Sequence, residues 1–321
     1  MNTSSTARLR RSPSRATTGE ARILKARRRT KDAKWAAIFL APAIIAILTM
    51  RVAPTLEAFS TSLYKGFPGG IVEPVFNGFN HYQDLWESEA FRKTLLLTLI
   101  FNLIINPLQI SISLLLAVVM TRKIKLAGLW RTLVFVPATV PIVGSSILWG
   151  IALQPHGPVN SVIQALGGEP QGFLTSPDQA LASVILIASW IGVGYWMLFL
   201  ISGIQNIPAD YYEAARLDRA GAIRTFFSIT LPLLKRPLLF VLVADTVANF
   251  VLFVPFQILT DGGPAGSTNV LMFDAYRQTF GYSQKYLGAA EIVVLLMIML
   301  IFVALQFWLL REDSSPRRRR K

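Results

Sequence analysis

Residues 180–204 read ALASVILIASWIGVGYWMLFLISGI, a run of 25 residues that contains no charged side chain. About 20 apolar residues are enough for an α-helix to cross the hydrocarbon core of a bilayer, so this run predicts a transmembrane helix. Other apolar segments of the chain are long enough to do the same. The predicted spans cover residues 35–52, 94–120, 132–153, 180–204, 237–258 and 287–310. The sequence therefore predicts an all-α membrane protein with six transmembrane helices.

The composition of the chain agrees with this prediction. Of its 321 residues 53% are hydrophobic and 16% are charged, whereas soluble domains carry about 25% charged residues. The absence of cysteine and the presence of only two histidines, His81 and His156, exclude a disulfide framework and a multi-histidine metal centre. The sequence contains no glycine-rich nucleotide-binding loop and no acid–base cluster. We therefore expect a protein that is not an enzyme and binds no metal or cofactor, with both histidines as ordinary surface residues.

The distribution of basic residues predicts the topology. Of the 32 Lys and Arg residues, 26 fall in four segments that alternate with the predicted spans, namely residues 1–34, 121–131, 205–236 and 311–321. Loops rich in Lys and Arg stay in the cytoplasm, so these segments and both termini are predicted to be cytoplasmic. We divide the chain into a basic, disordered arm (1–34), a membrane domain (35–310) and a basic tail (311–321). The net charge of +14 is interpreted as anchoring to anionic lipid rather than binding to nucleic acid.

The last loop between two spans on this basic side holds an Ala-rich, charged segment. Glu213–Pro232 reads EAARLDRAGAIRTFFSITLP, and the preceding Asn206–Asp210 (NIPAD) has the Pro and acidic residue typical of a helix start. Small alanines let another surface approach a helix closely, and Glu213 and Asp218 can pair with charges across a contact. A solvated helix with a Glu213–Arg216 pair fits the spacing equally well. The spacing alone leaves both interpretations open.

The residues of this segment resemble the EAA loop of the membrane-spanning subunits of bacterial ABC importers. The likeness is to the carbohydrate-uptake permeases similar to the maltose and glycerol-phosphate systems. The matching residues are Tyr212, Glu213, Ala214, Ala215, Asp218, Ala220, Phe226, Phe227, Ile229, Thr230, Leu231 and Pro232. In that family the loop forms a cytoplasmic coupling helix that docks in a cleft of an ATP-binding subunit. The resemblance implies that Glu213, Ala214, Ala215 and Asp218 form this contact.

The exit of the coupling segment departs from the family pattern at one position. The family usually has Gly directly after the Asp, where this chain has Arg219. We expect Gly221 and Pro232 to shape the exit, and Gly221 could relocate the turn. Other segments also resemble the family, in the family's order. They are residues 76–82, 128–131 with Pro137 and Pro141, 157–160 and 260–265.

The resemblance also implies a set of partners and a location. It implies a second, non-identical permease, two cytoplasmic ATP-binding subunits that hold ATP and Mg, and an external solute-binding protein. The location implied is a bacterial inner membrane, and the solute is a sugar or a sugar-like molecule. An ion-coupled secondary transporter with Asp245 as a proton site is the alternative, although no inverted repeat is visible in the sequence.

Polar residues on the predicted spans are candidates for the substrate path, because a polar group that faces lipid is costly. They fall on helical stripes in the second and fifth spans, and Trp196 accompanies Ser189 and Gly192 in the fourth. Their common alternative role is to hold helices together. The candidates are Asn102, Asn106, Gln109, Trp196, Asp245 and Asn249. No dense basic cluster lies on these stripes, which disfavours an anionic solute.

Two further expectations concern the spans. Pro107, Pro137 and Pro141 are predicted to kink their helices. Glu291 lies near the outer end of the sixth span, where it is expected to face either a partner subunit or interfacial water.

Overall fold

The computed structural model describes residue 35 and residues 37–66, 73–122 and 125–310. The predicted arm 1–34 and tail 311–321 lie outside the described residues. The chain divides into two units at Glu57, Met1–Glu57 and Ala58–Lys321. The part of the first unit that the structure describes is a helix whose side chains are almost all exposed.

The described residues are mostly helical and contain only two short strands, which confirms the predicted fold class. The helices are α1 (Ala37–Ser62), α2 (Asn80–Glu87), α3 (Glu89–Met120), α4 (Ala127–Thr139), α5 (Ile142–Ala152), α6 (Pro158–Ala165), α7 (Pro177–Gln205), α8 (Ala209–Leu217), α9 (Ala222–Leu233), α10 (Lys235–Phe250), α11 (Val254–Leu259), α12 (Leu271–Tyr276) and α13 (Lys285–Leu309). Turns of π-helix occur at Leu48–Val52, Phe226–Thr230 and Arg277–Gly281. Strands β1 (Tyr64–Lys65) and β2 (Val75–Phe76) form an antiparallel pair with Tyr64 opposite Phe76.

Long apolar helices account for five of the six predicted spans. They are α1, α3, α7, α13 and the segment Lys235–Leu259, which contains α10 and α11. The predicted third span, 132–153, is not one helix: α4 and α5 meet at an angle of 94°. Val140 precedes Pro141 and is extended, with ψ of 131°, because a residue before proline is driven out of the helical region. Helices α4 and α3, by contrast, continue through Pro137 and Pro107.

The core of the second unit is built on close contact between α3 and α7. A β-carbon at Gly192 of α7 would lie 3.0 Å from the Gln109 amide nitrogen of α3, so glycine permits this approach, as small residues do between membrane helices. The Ser113 hydroxyl donates to the Val193 carbonyl oxygen at 3.0 Å. Further along, Phe101 of α3 packs edge-to-face on Phe256 of α11 at 5.1 Å. These contacts fix α7 and α11 against α3.

Two residues of the predicted outer side are placed differently from the expectation. His81 is buried, and its Nε2 lies 3.0 Å from the Tyr64 carbonyl oxygen, so it anchors the hairpin and is not an ordinary surface residue. His156 is exposed, as expected. Glu291 is 1% exposed and lies beside Asp274 and Arg277 of the same chain. Both orientations expected for Glu291 are therefore wrong, because α12 and the turn after it cover the side chain.

Candidate substrate cavity and coupling surface

A cavity of about 400 Å³ lies between α3, α4, α5, α7 and α10. The bend between α4 and α5 places Ala138 and Ile142 in the same wall. The remaining lining comes from α3, α7 and α10 and from Leu252, two residues after the end of α10. The lining residues are Gln109, Ala138, Ile142, Ala188, Ile191, Gly192, Tyr195, Trp196, Asp245, Ala248, Asn249 and Leu252.

Three amide side chains form a hydrogen-bonded group at this cavity. Asn249 Nδ2 donates to Asn106 Oδ1 at 2.7 Å and to Gln109 Oε1 at 3.2 Å. All three residues are buried. Gln109 and Asn249 line the cavity, whereas Asn106 holds Asn249 from α3 without lining it. The group therefore joins α3 to α10 and also sets the orientation of two amides that face the cavity.

Asp245 lies one helical turn before Asn249 on α10 and is 1% exposed. The side chains of Trp196 and Asn249 lie beside its carboxyl group. Its second oxygen, Oδ2, is buried and has no hydrogen-bond partner among the described residues. A buried acceptor without a donor costs about 1–3 kcal/mol. This oxygen is therefore an acceptor that the described residues leave unsatisfied, on a residue that lines the cavity.

Aromatic side chains form the α7 wall of the cavity. Tyr195 and Trp196 both line it, with ring centroids 4.9 Å apart. Phe199 packs on Tyr195 at 5.1 Å and extends the aromatic surface towards Phe240. Flat apolar faces beside a few polar groups are typical of small-molecule sites. The combination of amides, one carboxyl group and aromatic rings suits a ring that carries hydroxyl groups.

The six predicted path residues do not all meet at this cavity. Gln109, Trp196, Asp245 and Asn249 line it, and Asn106 contacts one of them. Asn102 is elsewhere: its Nδ2 donates to the Thr98 carbonyl oxygen of its own helix at 2.9 Å. The candidates from the sequence did not include Tyr195, and the sequence carries no signal for the apolar wall residues Ala138 and Ile142. Among the described residues no group of His, Cys, Asp and Glu could hold a metal ion.

Helix α8 carries the EAA-like residues and ends in a hydrogen-bonded turn. The Ala220 N–H donates to the Ala215 carbonyl oxygen at 2.9 Å, and the Arg219 N–H donates to that of Arg216 at 3.0 Å. Arg219 has φ of 54°. These are the bonds and the left-handed residue of a Schellman cap. Arg219 thus adopts the conformation that Gly favours at this position.

The expectation that Gly221 could relocate this turn is wrong. Gly221 is extended, with φ of −66° and ψ of 164°, so it does not supply the left-handed residue. Instead it precedes α9 as the residue at its N-terminal cap. The turn stays where the family has it, at the residue after Asp218, despite the side chain of Arg219.

The surface of α8 is open and partly apolar. Most of the predicted coupling residues are exposed, namely Glu213, Ala214, Asp218, Arg219, Gly221 and Pro232. Ala215 is buried in the chain's own core. Leu217 is 86% exposed and Ile223 is 77% exposed, and sequence reasoning did not single out either residue. The Tyr212 hydroxyl lies 3.2 Å from Thr230 Oγ1 and connects α8 to α9.

Sequence comparisons show that the chain is similar to transport proteins. Residues 109–312 match the family described as binding-protein-dependent transport system inner membrane component. A lactose transport system permease protein of Rhizobium radiobacter is 34% identical over 281 residues, which cover 86% of this chain and 93% of the relative.

Solved structures share the fold. A chain of a bacterial ABC transporter involved in the import of the acidic polysaccharide alginate has a TM-score of 0.76 and 21% identity, over 92% of this chain and all of that one. A chain of the alginate transporter in complex with an alginate pentasaccharide-bound periplasmic protein has a TM-score of 0.75 and 21% identity, over 88% of this chain and 96% of that one.

Proposed function

Because the chain belongs to the family of binding-protein-dependent transport system inner membrane components, we propose that it forms half of the translocation path of an ATP-driven importer. The solute is a sugar or sugar-like molecule that an external binding protein delivers. The chain is a transport component and not an enzyme. It is a multi-pass membrane protein, since its described part holds five helices long enough to cross a bilayer and a bent pair that could form another.

The observation that supports the substrate proposal is the cavity of about 400 Å³. Its amides, Gln109 and Asn249, can exchange hydrogen bonds with sugar hydroxyl groups, and Asp245 can accept from them. Tyr195 and Trp196 supply faces that pack on the C–H surface of a pyranose ring. The lactose permease relative agrees with a solute of this chemistry. We therefore assign Gln109, Trp196, Asp245 and Asn249 to the path, and assign Asn106 the role of holding Asn249.

Helix α8 is proposed as the contact through which ATP hydrolysis in another chain moves this one. It exposes Glu213 and Asp218 for charge-assisted hydrogen bonds, and it exposes Ala214 for close approach. Leu217 and Ile223 add apolar surface that solvent would otherwise meet. The cap at Arg219 and the bond between Tyr212 and Thr230 hold the helix in a fixed orientation on its own chain. A push on α8 would thus be carried into α9 and the spans beyond it.

The complex that follows from this proposal contains several chains. Two ATP-binding subunits hold ATP and Mg on the cytoplasmic side, and a second permease completes the path. Closure of the ATPase pair would drive the bundle from an inward-facing to an outward-facing state. The external binding protein is supported by the alginate transporter structure that contains such a protein. Both termini and α8 face the cytoplasm in this proposal.

Co-purification tests the proposed function. The tagged chain is extracted from the membranes of its host in mild detergent, and the proteins that accompany it are identified by mass spectrometry. We expect two ATPase subunits for each copy of a second permease, together with vanadate-sensitive sugar uptake in cells. A chain recovered without an ATPase, in cells whose uptake is abolished by a protonophore and unaffected by vanadate, would establish the ion-coupled transporter instead.

A further inference from the structure

Family membership leaves the charge of the transported solute undecided. The relatives include a lactose permease, whose named solute is neutral, and the fold is shared with an importer of an acidic polysaccharide. The charge class of the solute must therefore come from the chain's own cavity. This question rests on the proposed function, since it concerns the same cavity.

Among the described residues that line the cavity there is an acidic side chain but no basic one. The described residues that line it include one carboxyl group, that of Asp245, and no Lys, Arg or His. Its other polar groups are the amides of Gln109 and Asn249, the Tyr195 hydroxyl and the Trp196 indole. A site that binds carboxylate or sulfonate groups usually presents Arg or Lys. This chain instead presents a carboxyl group on its part of the wall.

The hydrogen bonding of Asp245 also indicates that the cavity does not favour an acidic solute. Asp245 is 1% exposed, and its Oδ2 has no donor among the described residues. Asn249, whose amide could have turned to supply one, donates instead to Asn106 and Gln109. The unpartnered oxygen is thus an acceptor that the described residues leave unsatisfied, on a side chain that belongs to the cavity lining. Hydroxyl and ammonium groups can donate to it, whereas a carboxylate or sulfonate group on the solute cannot.

We propose that the cavity selects solutes by charge: Asp245 accepts a hydrogen bond from a hydroxyl or ammonium group of a neutral or amine-bearing sugar, and it rejects acidic sugars. Rejection has two causes. An anionic group would leave Asp245 Oδ2 without a donor, and it would also bring a negative charge close to the carboxyl group of Asp245. The amides and aromatic rings contribute affinity for the sugar ring but do not distinguish its charge.

The test uses three probes that share one pyranose ring, namely glucose, glucosamine and glucuronate. They are titrated against the complex of this chain with its partner subunits in lipid nanodiscs, and binding is followed by saturation-transfer NMR. The external binding protein is omitted, so its own selectivity does not contribute. We expect the Kd for glucuronate to exceed that for glucosamine by about tenfold or more, with glucose between them.

Two variants assign the discrimination to the charge of Asp245. In Asp245→Asn, which keeps the shape of the side chain, the ratio of the two Kd values should fall to within about twofold. In Asp245→Glu, which keeps the charge, the ratio should stay near that of the unaltered complex. The proposal is overturned if glucuronate binds the unaltered complex as tightly as glucosamine, if the ratio survives in Asp245→Asn, or if no probe binds.

The protein composition of the same preparation separates this proposal from the proposed function. A preparation that contains the ATPase but binds all three probes alike contradicts charge selection and leaves the importer assignment standing. A preparation without any ATPase contradicts the importer assignment itself.

Discussion

At the scale of single residues, Arg219 shows how local backbone geometry can persist under an unfavourable side chain. A non-glycine residue in the left-handed region costs about 1 kcal/mol relative to glycine. Arg219 adopts it, with φ of 54°, because two hydrogen bonds close the end of α8 around it. The family resemblance identified the position, but no pattern in the sequence distinguishes a strained Arg219 from a turn moved to Gly221.

We predict that Arg219→Gly stabilises the end of α8 by about 1 kcal/mol, because glycine adopts this conformation without strain. Hydrogen–deuterium exchange of the peptide that covers Ala209–Ala220 measures the effect, and exchange should slow about fivefold. Ala220→Gly is the matched control: Ala220 is not left-handed, so glycine there gives no gain. Equal exchange in Arg219→Gly and the unaltered chain would show that the cap carries no strain.

Asp245 and Asn249 are neighbours on α10 with different expected behaviour on substitution. Asn249→Ala removes the donor of two buried acceptors, Asn106 Oδ1 and Gln109 Oε1, and should cost about 1–3 kcal/mol of stability. Asp245→Ala removes a side chain with an unpartnered oxygen, so the melting temperature of the complex should hardly change. Both variants should lower sugar uptake.

Thermal unfolding of the purified complex and uptake in cells, measured on both variants, check this contrast. A large drop in melting temperature for Asp245→Ala would give Asp245 a purely structural role between helices. Normal uptake in either variant would remove that residue from the substrate path.

The sequence predicted which helix face carries polar site residues, but it did not predict how much of that face belongs to the cavity. Helical spacing put Asn102, Asn106 and Gln109 on one stripe of α3, and two of the three do belong to the cavity or its supporting layer. Asn102 lies seven residues before Gln109, which is about 10 Å along the helix axis. A stripe shows which residues share a face, but it does not show how far along that face a cavity extends.

Among the helices, the third predicted span is the one that the sequence pattern describes incorrectly, because the pattern predicts one continuous helix. The hydropathy of residues 132–153 is that of a continuous helix, yet α4 and α5 meet at 94°. Three prolines, Pro107, Pro137 and Pro141, were expected to act alike. Only Pro141 begins a new helix, because Val140 before it is extended, whereas α3 and α4 contain the other two. Which proline breaks its helix depends on packing against other helices, and the residues next to each proline do not predict that packing.

Helix α8 is the element on which the importer assignment can be tested by substitution. We predict that Ala214→Trp detaches the ATPase, since the side chain is exposed and would overfill a cleft, at about 1–3 kcal/mol. Glu213→Ala removes a charge-assisted hydrogen bond and should weaken the contact by about 1.5–3 kcal/mol. The chain itself should remain folded, because neither side chain is buried in it.

The measurement is the amount of ATPase recovered with the purified chain, read together with uptake. Ala214→Trp should reduce both by about tenfold. Lys125→Trp, a substitution at an exposed position of another loop on the basic side, is the control and should leave both near normal. Full ATPase recovery and full uptake in both α8 variants would make α8 an ordinary solvated helix.

At the scale of the whole molecule, the bent pair α4–α5 determines the topology. If the pair crosses the membrane, the described residues form six spans and the two ends of the described part lie on the same side. If the pair re-enters, they form five spans and the two ends lie on opposite sides. The distribution of charge decides between these, because 26 of 32 basic residues collect on one side only when the pair crosses. Re-entry would move residues 205–236 and 311–321, with 11 of those charges, to the outside.

We therefore predict that the pair crosses and that both termini are cytoplasmic, and cysteine labelling of this cysteine-free chain tests it. Leu166→Cys reports on the segment between α5 and α7, directly after α6, where the side chain is 83% exposed, and Ser314→Cys reports on the C-terminal tail, which lies outside the described residues. A membrane-impermeant maleimide should label Leu166→Cys in intact cells and should label Ser314→Cys only after permeabilisation. Leu166→Cys that resists the reagent until permeabilisation would show that α4 and α5 re-enter. Labelling of Ser314→Cys in intact cells would place the tail outside and contradict the charge argument directly.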